Sequence, residues 1–254
     1  MLEMFSLKGK KAIVTGAARK TGLCYGMAKA LHDAGAEVML WDVSPAVHEL
    51  CAELGGAESG YYSIQGDLRD LADMRAKMAQ AVEILGGRVD ILLNGAGLQH
   101  RCDAIDFPAE KWALILDVNL SAVFYLSQLA AEYMIPAGGG KIINIASMTS
   151  FSGSRRIPAY TASKGGVMQL TKALSNEWAD KGICVNAIAP GYMETELTAN
   201  MIHTEQGQQH TLRIPMHRWG KPEDLAGAVV FLASAASDYI SGAILPVDGG
   251  YLGS

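Results

Sequence analysis

The stretch Lys11-Ala12-Ile13-Val14-Thr15-Gly16 decides the fold of this chain. Its apolar and β-branched residues run unbroken into a glycine, which is the pattern of a strand buried on both faces. A helical pattern follows and stops at Gly35, and a second apolar run covers residues 37–41 before Asp42. Because a strand, a helix and a second strand form a right-handed βαβ unit, this segment predicts the start of a parallel sheet.

The same alternation continues to the end of the chain. Further strands are predicted at residues 61–65, 89–93, 141–146, 183–188 and 243–247, with helices at residues 45–54, 71–85, 109–134, 158–181 and 222–233. This pattern predicts an α/β fold in which a doubly wound parallel sheet of about seven strands carries helices on both faces. Residues 1–254 form a single predicted domain, because no linker or repeat interrupts them. The polar segment 198–216 is predicted to be mobile and to contain helix.

The composition favours a globular protein that acts on small molecules. Half of the 254 residues are apolar and 19% are charged, so a sizeable core can be buried. The net charge of −5 gives no electrostatic reason to expect nucleic acid or an anionic membrane as a partner. No run of 18 apolar residues is present, which disfavours a membrane-spanning segment.

The four cysteines, Cys24, Cys51, Cys102 and Cys184, lie far apart in the sequence. They form no CxxC pair and have no histidine at metal-ligand spacing, so neither disulfides nor a metal site is expected. Reduced thiols of this kind are typical of a cytoplasmic protein, which is the predicted location.

The turn after the first strand predicts a dinucleotide site. It contains Gly16, Arg19, Thr21, Gly22 and Leu23. Glycines in such a turn let the backbone approach a pyrophosphate, and the start of the following helix supplies N–H donors.

Acidic residues follow the next two strands. Asp42 can accept hydrogen bonds from both adenosine ribose hydroxyls and would repel a 2′-phosphate. Its alternative role is to cap the helix that begins near Pro45. Asp67 could meet the adenine edge, or it could be an ordinary turn residue.

Tyr160 and Lys164 are spaced four residues apart and would lie on one face of a helix. A cation held near a phenol favours the phenolate and lowers the phenol pKa, which makes the pair a candidate acid/base. By spacing alone, an ordinary solvated helical face is the favoured interpretation of the two residues.

Over essentially its whole length, the sequence resembles the short-chain dehydrogenase/reductase family. The matching motifs, specific in their order and spacing, are Thr15-Gly16, Asp67, Asn94-Gly95-Ala96-Gly97, Asn119, Ser147, the stretch Tyr160 to Lys164, and Pro190-Gly191 with Thr195. The resemblance implies a Rossmann-type sheet, a nicotinamide cofactor and a catalytic tetrad of Asn119, Ser147, Tyr160 and Lys164.

The resemblance also implies individual roles. Ser147 would hydrogen-bond the reacting carbonyl oxygen, Tyr160 would transfer the proton, and Lys164 would lower the pKa of Tyr160 and hold the nicotinamide ribose. Asn119 would hold a structural water, anchor a proton relay, or do both. The implied cofactor contacts are Gly16, Arg19, Thr21, Gly22, Leu23, Asp42, Asp67, Leu68, Asn94, Gly95, Ala96, Tyr160, Lys164, Pro190, Gly191, Met193 and Thr195.

Two positions depart from the family pattern. The glycine turn carries about two extra residues within 17–21, and Cys24 takes the place of the third motif glycine, where it should push the helix start slightly aside. Gly95 stands where the family often has Asn or a hydroxyl residue, a change expected to be mild. Arg19 and Lys20 in the longer turn would suit a 2′-phosphate, but Asp42 opposes one, so NAD(H) is predicted over NADP(H).

The substrate side rests on arginines. Guanidinium groups bind carboxylates bidentately, and the sequences around Ser147, Tyr160 and Pro190 resemble sugar-acid dehydrogenases of the family, the 2-dehydro-3-deoxy-D-gluconate and gluconate 5-dehydrogenase group. Arg156, with Arg101 or Arg155, is therefore predicted to hold the substrate carboxylate beside Ser147 and Tyr160. Gln99 and His100 would bind hydroxyls, and residues 193–217 would form a lid. Solvated surface arginines are the plain alternative.

The expected activity is NAD(H)-dependent interconversion of a secondary alcohol and a ketone on a sugar acid or polyol. One alternative is a 3-oxoacyl-thioester reductase that uses NADPH, and another is a non-catalytic dinucleotide-binding regulator. Intact Ser147, Tyr160 and Lys164 count against the regulator. The resemblance also implies a homotetramer in which the long helices around Asn119 and Tyr160 pack between subunits.

Overall fold

The computed structural model describes residues 2–195 and 198–254. In that part of the chain, the strands are β1 (Lys11–Thr15), β2 (Glu37–Asp42), β3 (Tyr61–Gln65), β4 (Ile91–Asn94), β5 (Gly140–Ile145), β6 (Ile183–Pro190) and β7 (Ile244–Val247). All pair in parallel, in the order β3-β2-β1-β4-β5-β6-β7. The predicted doubly wound α/β sheet is confirmed, and the strand order reverses between β1 and β4.

Helices cover both faces of this sheet. They are α1 (Leu23–Asp33), α2 (Ala46–Glu53), α3 (Leu71–Ile84), α4 (Ala109–Leu116), α5 (Ala122–Met134), α6 (Pro158–Trp178), α7 (Ala199–Ile202), α8 (Glu205–Arg213) and α9 (Ala226–Ala233). Neighbouring residues of β1 enter opposite cores: Val14 packs with α1 and α9, and Ile13 packs with α3 and α5. Both residues are fully buried, as the unbroken apolar run of β1 predicts.

The helix predicted over residues 109–134 is interrupted. A π turn at Asp117–Ser121 separates α4 from α5, and Asn119 lies inside it, fully buried. Among the described residues, Ala109–Met134 is the one helical stretch long and apolar enough to cross a membrane. Its residues Leu126 and Leu129 are buried in the core against α3 and the sheet, which is the environment of a core helix.

Helices α7 and α8 occupy most of the predicted lid at 193–217, of which Glu196 and Leu197 lie outside the described residues. Two hydrogen bonds hold this segment in place, one within it and one to Trp219 just beyond it. Thr198 Oγ1 donates to the Met193 carbonyl at 2.7 Å, and Trp219 Nε1 donates to Thr211 Oγ1 at 3.0 Å. The lid therefore stands next to the end of β6.

Candidate active site

The turn after β1 has the geometry of a dinucleotide cradle. Gly16 adopts a φ of +77°, and a Cβ added there would lie 2.7 Å from Ala96 Cα. Thr15 Oγ1 accepts the N–H groups of Gly95 and Ala96 at 3.1 and 3.3 Å. Because only glycine fits this conformation and this approach, the turn and the loop after β4 form one continuous backbone surface.

The start of α1 fits a phosphate. Gly22 is the N-cap residue and has no side chain to accept the first N–H groups of the helix, which leaves them for an anion. The inserted residues loop outward: Arg19 is exposed and its carbonyl accepts the Gly22 N–H at 2.9 Å. Lys20 forms an ion pair with Glu53 of α2 at 2.5 Å.

Asp42 connects the cradle to the end of β2. Its carboxylate accepts the Ala18 N–H at 3.0 Å and the Ser44 N–H at 2.9 Å. Helix α2 has Pro45 at its N-cap without a side-chain cap, so Asp42 does not cap it as the alternative interpretation supposed. Asp42 thus braces the lengthened turn and keeps its negative charge at the predicted ribose position.

Asp67 is engaged by a neighbour. The Arg69 guanidinium contacts both of its carboxylate oxygens and holds the pKa of Asp67 below its usual range. The adjacent Leu68 is buried. Both residues lie just beyond β3, at the edge of the sheet where the sequence places the adenine.

Ser147, Tyr160 and Lys164 come together beyond the end of β5. Ser147 caps a short 3-10 turn, with its Oγ accepting the Thr149 N–H at 3.1 Å, and its side chain lies close enough to Tyr160 to affect the pKa of that phenol. Lys164 is buried one turn further along α6, and its Nζ lies 5.8 Å from the centre of the Tyr160 ring. The predicted triad is therefore adjacent in space.

The electrostatics of this group differ from the expectation. Burial raises the pKa of Tyr160, and the hydrogen bond from Ser147 opposes that rise only in part. Tyr160 remains partly exposed, which moderates the shift. The predicted lowering by Lys164 is wrong for this arrangement, because the Lys164 Nζ donates to the Ile145 carbonyl at 2.6 Å, away from the phenol oxygen. Burial also lowers the pKa of Lys164 to about 8.

Asn119 supports the loop after β4. Its Oδ1 accepts the Leu98 N–H at 2.8 Å, and its Nδ2 donates to the Leu98 carbonyl at 2.9 Å and to Ser163 Oγ at 3.2 Å. The π turn aims this side chain at the loop, as π turns at functional sites often do. Asn119 thus joins β4, α5 and α6 within one hydrogen-bond network.

The predicted cofactor contacts after β6 lie at the same edge of the sheet. Pro190 ends β6, Gly191 donates its N–H to the Val247 carbonyl at 3.0 Å, and Met193 pairs with Gly220. Thr195 begins a turn in which its N–H donates to Thr198 Oγ1 at 2.9 Å. Asn94, at the end of β4, is buried and donates to Ser127 and Asn144.

The predicted substrate arginines have different surroundings: Arg156 is paired with a carboxylate, whereas Arg101 and Arg155 are exposed. Arg156 has a φ of +65° and its Nε lies 3.0 Å from Asp103 Oδ1. Its carbonyl accepts the Cys102 N–H at 2.9 Å, so the loops carrying Arg101 and Arg156 touch. Arg101 and Arg155 are exposed. His100 packs edge-on against Phe107, with 5.6 Å between ring centres.

Sequence reasoning did not single out Tyr192, His210 or Arg213, which gather beside this edge. The Tyr192 and His210 rings stack at 4.5 Å, and Arg213 lies over Tyr251. The available signal was the basic pair His210 and Arg213 in the lid, with the aromatic residues Tyr192 and Trp219 just outside its two ends. Among residues 2–195 and 198–254, no group of three His, Cys, Asp or Glu side chains is placed to hold a metal ion.

Comparison with known proteins places the chain in a family. A family model described as enoyl-(acyl carrier protein) reductase matches residues 16–252. The 2-dehydro-3-deoxy-D-gluconate 5-dehydrogenase of Escherichia coli (strain K12) is 46% identical over 254 residues, 99% of each chain. Its counterpart in Bacillus subtilis (strain 168) is 47% identical over 252 residues, 98% of this chain and 97% of its own.

A solved structure agrees with these relatives. The crystal structure of a gluconate 5-dehydrogenase from Burkholderia cenocepacia J2315, in complex with NADP and tartrate, matches with a TM-score of 0.94 at 37% identity and covers 100% of this chain and 99% of that one. Fold, site and relatives together define an NAD(P)-dependent oxidoreductase that acts on CH–OH groups. The chain belongs to the short-chain dehydrogenase/reductase family.

Proposed function

We propose that this enzyme interconverts a secondary hydroxyl and a ketone on a sugar acid, with Asn119, Ser147, Tyr160 and Lys164 as its catalytic group. The observation that carries the proposal is that Tyr160 and the buried Lys164 share one face of α6 beside Ser147, with the Lys164 Nζ 5.8 Å from the centre of the Tyr160 ring. The names of the E. coli and B. subtilis relatives support a sugar acid as the substrate.

The residues of this chain divide the work of ketone reduction. Ser147 donates a hydrogen bond to the ketone oxygen, and Tyr160 transfers its proton to the same oxygen as the alcohol forms. Lys164, one helical turn from Tyr160, would hold the nicotinamide ribose. The bound cofactor supplies the hydride to the carbonyl carbon, and alcohol oxidation reverses each of these movements.

We propose NAD(H) as the preferred cofactor. Gly16, Gly22 and the start of α1 would hold its pyrophosphate, and Asp42 would accept hydrogen bonds from the adenosine ribose. The Asp42 carboxylate would repel a 2′-phosphate, and Lys20, the nearby cation of the inserted turn, is paired with Glu53. NADP in the crystal structure of the B. cenocepacia relative supports the opposite preference, so both cofactors belong in the test.

The remaining parts of the proposal concern the substrate and the assembly. Ser147 and Tyr160 would contact the reacting carbon, with Arg101 and Arg156 near the carboxylate and residues 193–217 closing over it.

We also propose a cytoplasmic homotetramer. The exposed rings of Trp112 on α4 and Phe124 on α5, 41% and 36% accessible, support contacts between subunits. Light scattering of the purified protein measures the assembly.

The substrate test is a screen of NAD and NADP reduction with gluconate, deoxy-sugar acids, neutral polyols and 3-hydroxyacyl thioesters. We expect turnover of at least one sugar acid, with a higher kcat/KM for NAD. Activity confined to the thioesters would replace the proposal with an acyl-thioester reductase, which the description of the matching family model also suggests.

A Tyr160→Phe variant tests the mechanism. Loss of the phenolic hydroxyl removes the proton donor, and we expect kcat to fall by about 10²–10⁴-fold with cofactor binding retained. Unchanged turnover in this variant would exclude the assigned role of Tyr160. Absence of turnover in the wild type, with cofactor still bound, would favour a dinucleotide-binding regulator.

A further inference from the structure

The base of the lid is an aromatic cluster centred on Tyr192, two residues beyond the end of β6. Its ring lies 4.5 Å from His210 of α8, 5.1 Å from Trp219 and 5.6 Å from Tyr251, measured between ring centres. Since β6 pairs with β5, this cluster stands one strand away from Ser147, at the same edge of the sheet. The cluster therefore fixes α8 over the entrance to the reacting group.

Two arginines from different elements converge on this cluster. Arg213, the last residue of α8, holds its guanidinium carbon 4.9 Å from the centre of the Tyr251 ring. Burial lowers the pKa of His210, and the charges of Arg213 and Arg101 lower it further. The same two charges act on Tyr192, whose pKa burial raises to about 12. The charges of Arg101 and Arg213 thus act on the same two rings.

Within residues 2–195 and 198–254, neither guanidinium has a carboxylate partner. Arg156, the other arginine at this entrance, is paired with Asp103. A cation at the C-terminus of α8 is favoured by the helix dipole, but the dipole does not account for a second cation on the same rings. Two unneutralised guanidiniums beside the half-buried His210 ring form a surface that attracts an anion.

Arg101 belongs to the loop that the catalytic group positions. Leu98, three residues earlier, is held by Asn119, and the Cys102 N–H donates to the carbonyl of Arg156, four residues before Tyr160. The loop is therefore tied to both α5 and the start of α6. A carboxylate bound by Arg101 would lie on the substrate side of Tyr160 and not on the cofactor side.

We propose that Arg213, carried by the lid, and Arg101, carried by the loop after β4, form a two-armed site for the substrate carboxylate, with His210 donating to a neighbouring hydroxyl. This proposal rests on the proposed function and deepens it, because it assigns the anion of the sugar acid to the lid. A substrate bridging both arms links closure of α8 to orientation of its carbon chain over Tyr160. Neutral polyols lack the anion and gain nothing from either arm.

The experiment uses the full-length enzyme saturated with cofactor and tartrate as a hydroxy-carboxylate probe. Tartrate binding is measured by calorimetry, and KM is measured for gluconate and for the neutral polyol sorbitol. The variants are Arg213→Leu, Arg213→Lys and Arg101→Leu. Arg75→Leu is the matched control, since Arg75 pairs with Glu132 on distant helices α3 and α5.

Arg213→Leu is expected to weaken tartrate binding and raise the gluconate KM by about 10- to 100-fold, the range for a hydrogen bond to a charged group. Cofactor KM and sorbitol turnover should change less than about twofold, because neither involves the anion site. Arg213→Lys should recover part of the binding, since lysine keeps the charge without the bidentate geometry. Arg75→Leu should match the wild type.

Tartrate binding that is unchanged in Arg213→Leu, or unchanged in Arg101→Leu, would overturn the proposal. An equal loss for gluconate and sorbitol would show that Arg213 only supports the fold of the lid, and would also overturn it. A wild-type enzyme that turns over no sugar acid would refute the proposed function, whereas the tartrate titration would still decide the anion site.

Discussion

The Cys24 Sγ donates a hydrogen bond to the carbonyl oxygen of Gly95 at 3.3 Å, and a Cβ added to Gly95 would lie 2.3 Å from that sulfur. The two positions are 71 residues apart in the chain. Both depart from the family pattern, and the structure shows that they are complementary. The thiol occupies the space that a side chain at position 95 would need, so the helix keeps its start at Leu23 despite the larger residue.

This relationship predicts a strong coupling between the two positions. Gly95→Ala alone should destabilise the protein by about 1–3 kcal/mol, because the new methyl overlaps the sulfur. Cys24→Ala in the same chain should restore at least about 1 kcal/mol by removing the sulfur. Urea unfolding of both single variants and the double variant measures the coupling. If the changes in unfolding free energy of the two single variants add up to that of the double variant, the predicted overlap between Cys24 and position 95 is absent.

The same double-variant series reports on function. The loop that carries Gly95 also carries Ala96, which lines the cofactor cradle. We therefore expect Gly95→Ala to raise the cofactor KM and the double variant to return it toward the wild-type value, with kcat less affected. If the cofactor KM is the same in Gly95→Ala as in the wild type, the packing of Cys24 on Gly95 does not affect the cofactor cradle.

Asp42 is predicted to set the choice between cofactors. Asp42→Asn keeps an oxygen for the Ala18 N–H but removes the charge that would face a 2′-phosphate. We expect the ratio of kcat/KM for NAD to that for NADP to fall by about 10-fold, a change of about 1.4 kcal/mol. Steady-state kinetics with both cofactors measure the ratio. Glu223→Gln on the opposite side of α1 is a charge-matched control, and an unchanged ratio in Asp42→Asn would show that the charge is not read.

Lys164 is predicted to lower stability while serving catalysis. Its folded-state pKa of about 8 lies below the 10.5 of an exposed lysine, so folding weakens its hold on a proton. The resulting cost, about 3 kcal/mol, is complete below pH 8 and disappears as the pH rises toward 10.5. Allowing about 1 kcal/mol for the lost hydrogen bond to Ile145, Lys164→Met should be about 2 kcal/mol more stable at pH 7 and inactive. Denaturant titrations at pH 7 and pH 10 measure this difference. A variant less stable than the wild type at pH 7 would contradict it.

The pH dependence of turnover should follow the same two groups. Ketone reduction needs protonated Tyr160 and charged Lys164. Because the pKa of Tyr160 is raised above 10.0 and that of Lys164 is about 8, kcat/KM for reduction should be level near pH 7 and fall above pH 8. Alcohol oxidation needs the phenolate together with charged Lys164, so its rate should rise up to about pH 8 and level off above it. Initial rates in both directions from pH 6 to 10 measure the two profiles. Reduction that stays level to pH 10 would exclude a titrating Lys164.

The order of strands and helices was predictable because a buried strand or helix has a recognisable pattern of apolar residues in its own sequence. An unbroken apolar run such as residues 11–15 must lie between two layers of helices, and the predicted bounds of β1 and β3 match the structure without a shift. The π turn was not predicted. Its local signal, a buried Asn119 in an apolar helix, is shared with ordinary helices, and its cause is the distant backbone of Leu98.

The catalytic residues were also predictable. Ser147, Tyr160 and Lys164 were proposed from motifs that resemble the family, and the predicted strand and helix bring each of them to the same edge of the sheet. Their electrostatics were not predictable: the direction of the Tyr160 pKa depends on burial and on where the Lys164 Nζ points. Helical spacing defines which residues share a face, but it does not define which acceptor a flexible lysine reaches.

By itself, then, the sequence determined the parallel sheet, the cradle glycines and the reactive pair, since each depends on residues close together in the chain. Only the tertiary structure decided that Cys24 packs against Gly95 and that Asp103 pairs with Arg156. It also decided that Arg213 lies over Tyr251 and that the charges of Arg213 and Arg101 both act on His210. These contacts join segments that are far apart in the chain, and the number of residues between two segments does not predict their distance in space. Packing places them, and packing is a property of the whole chain.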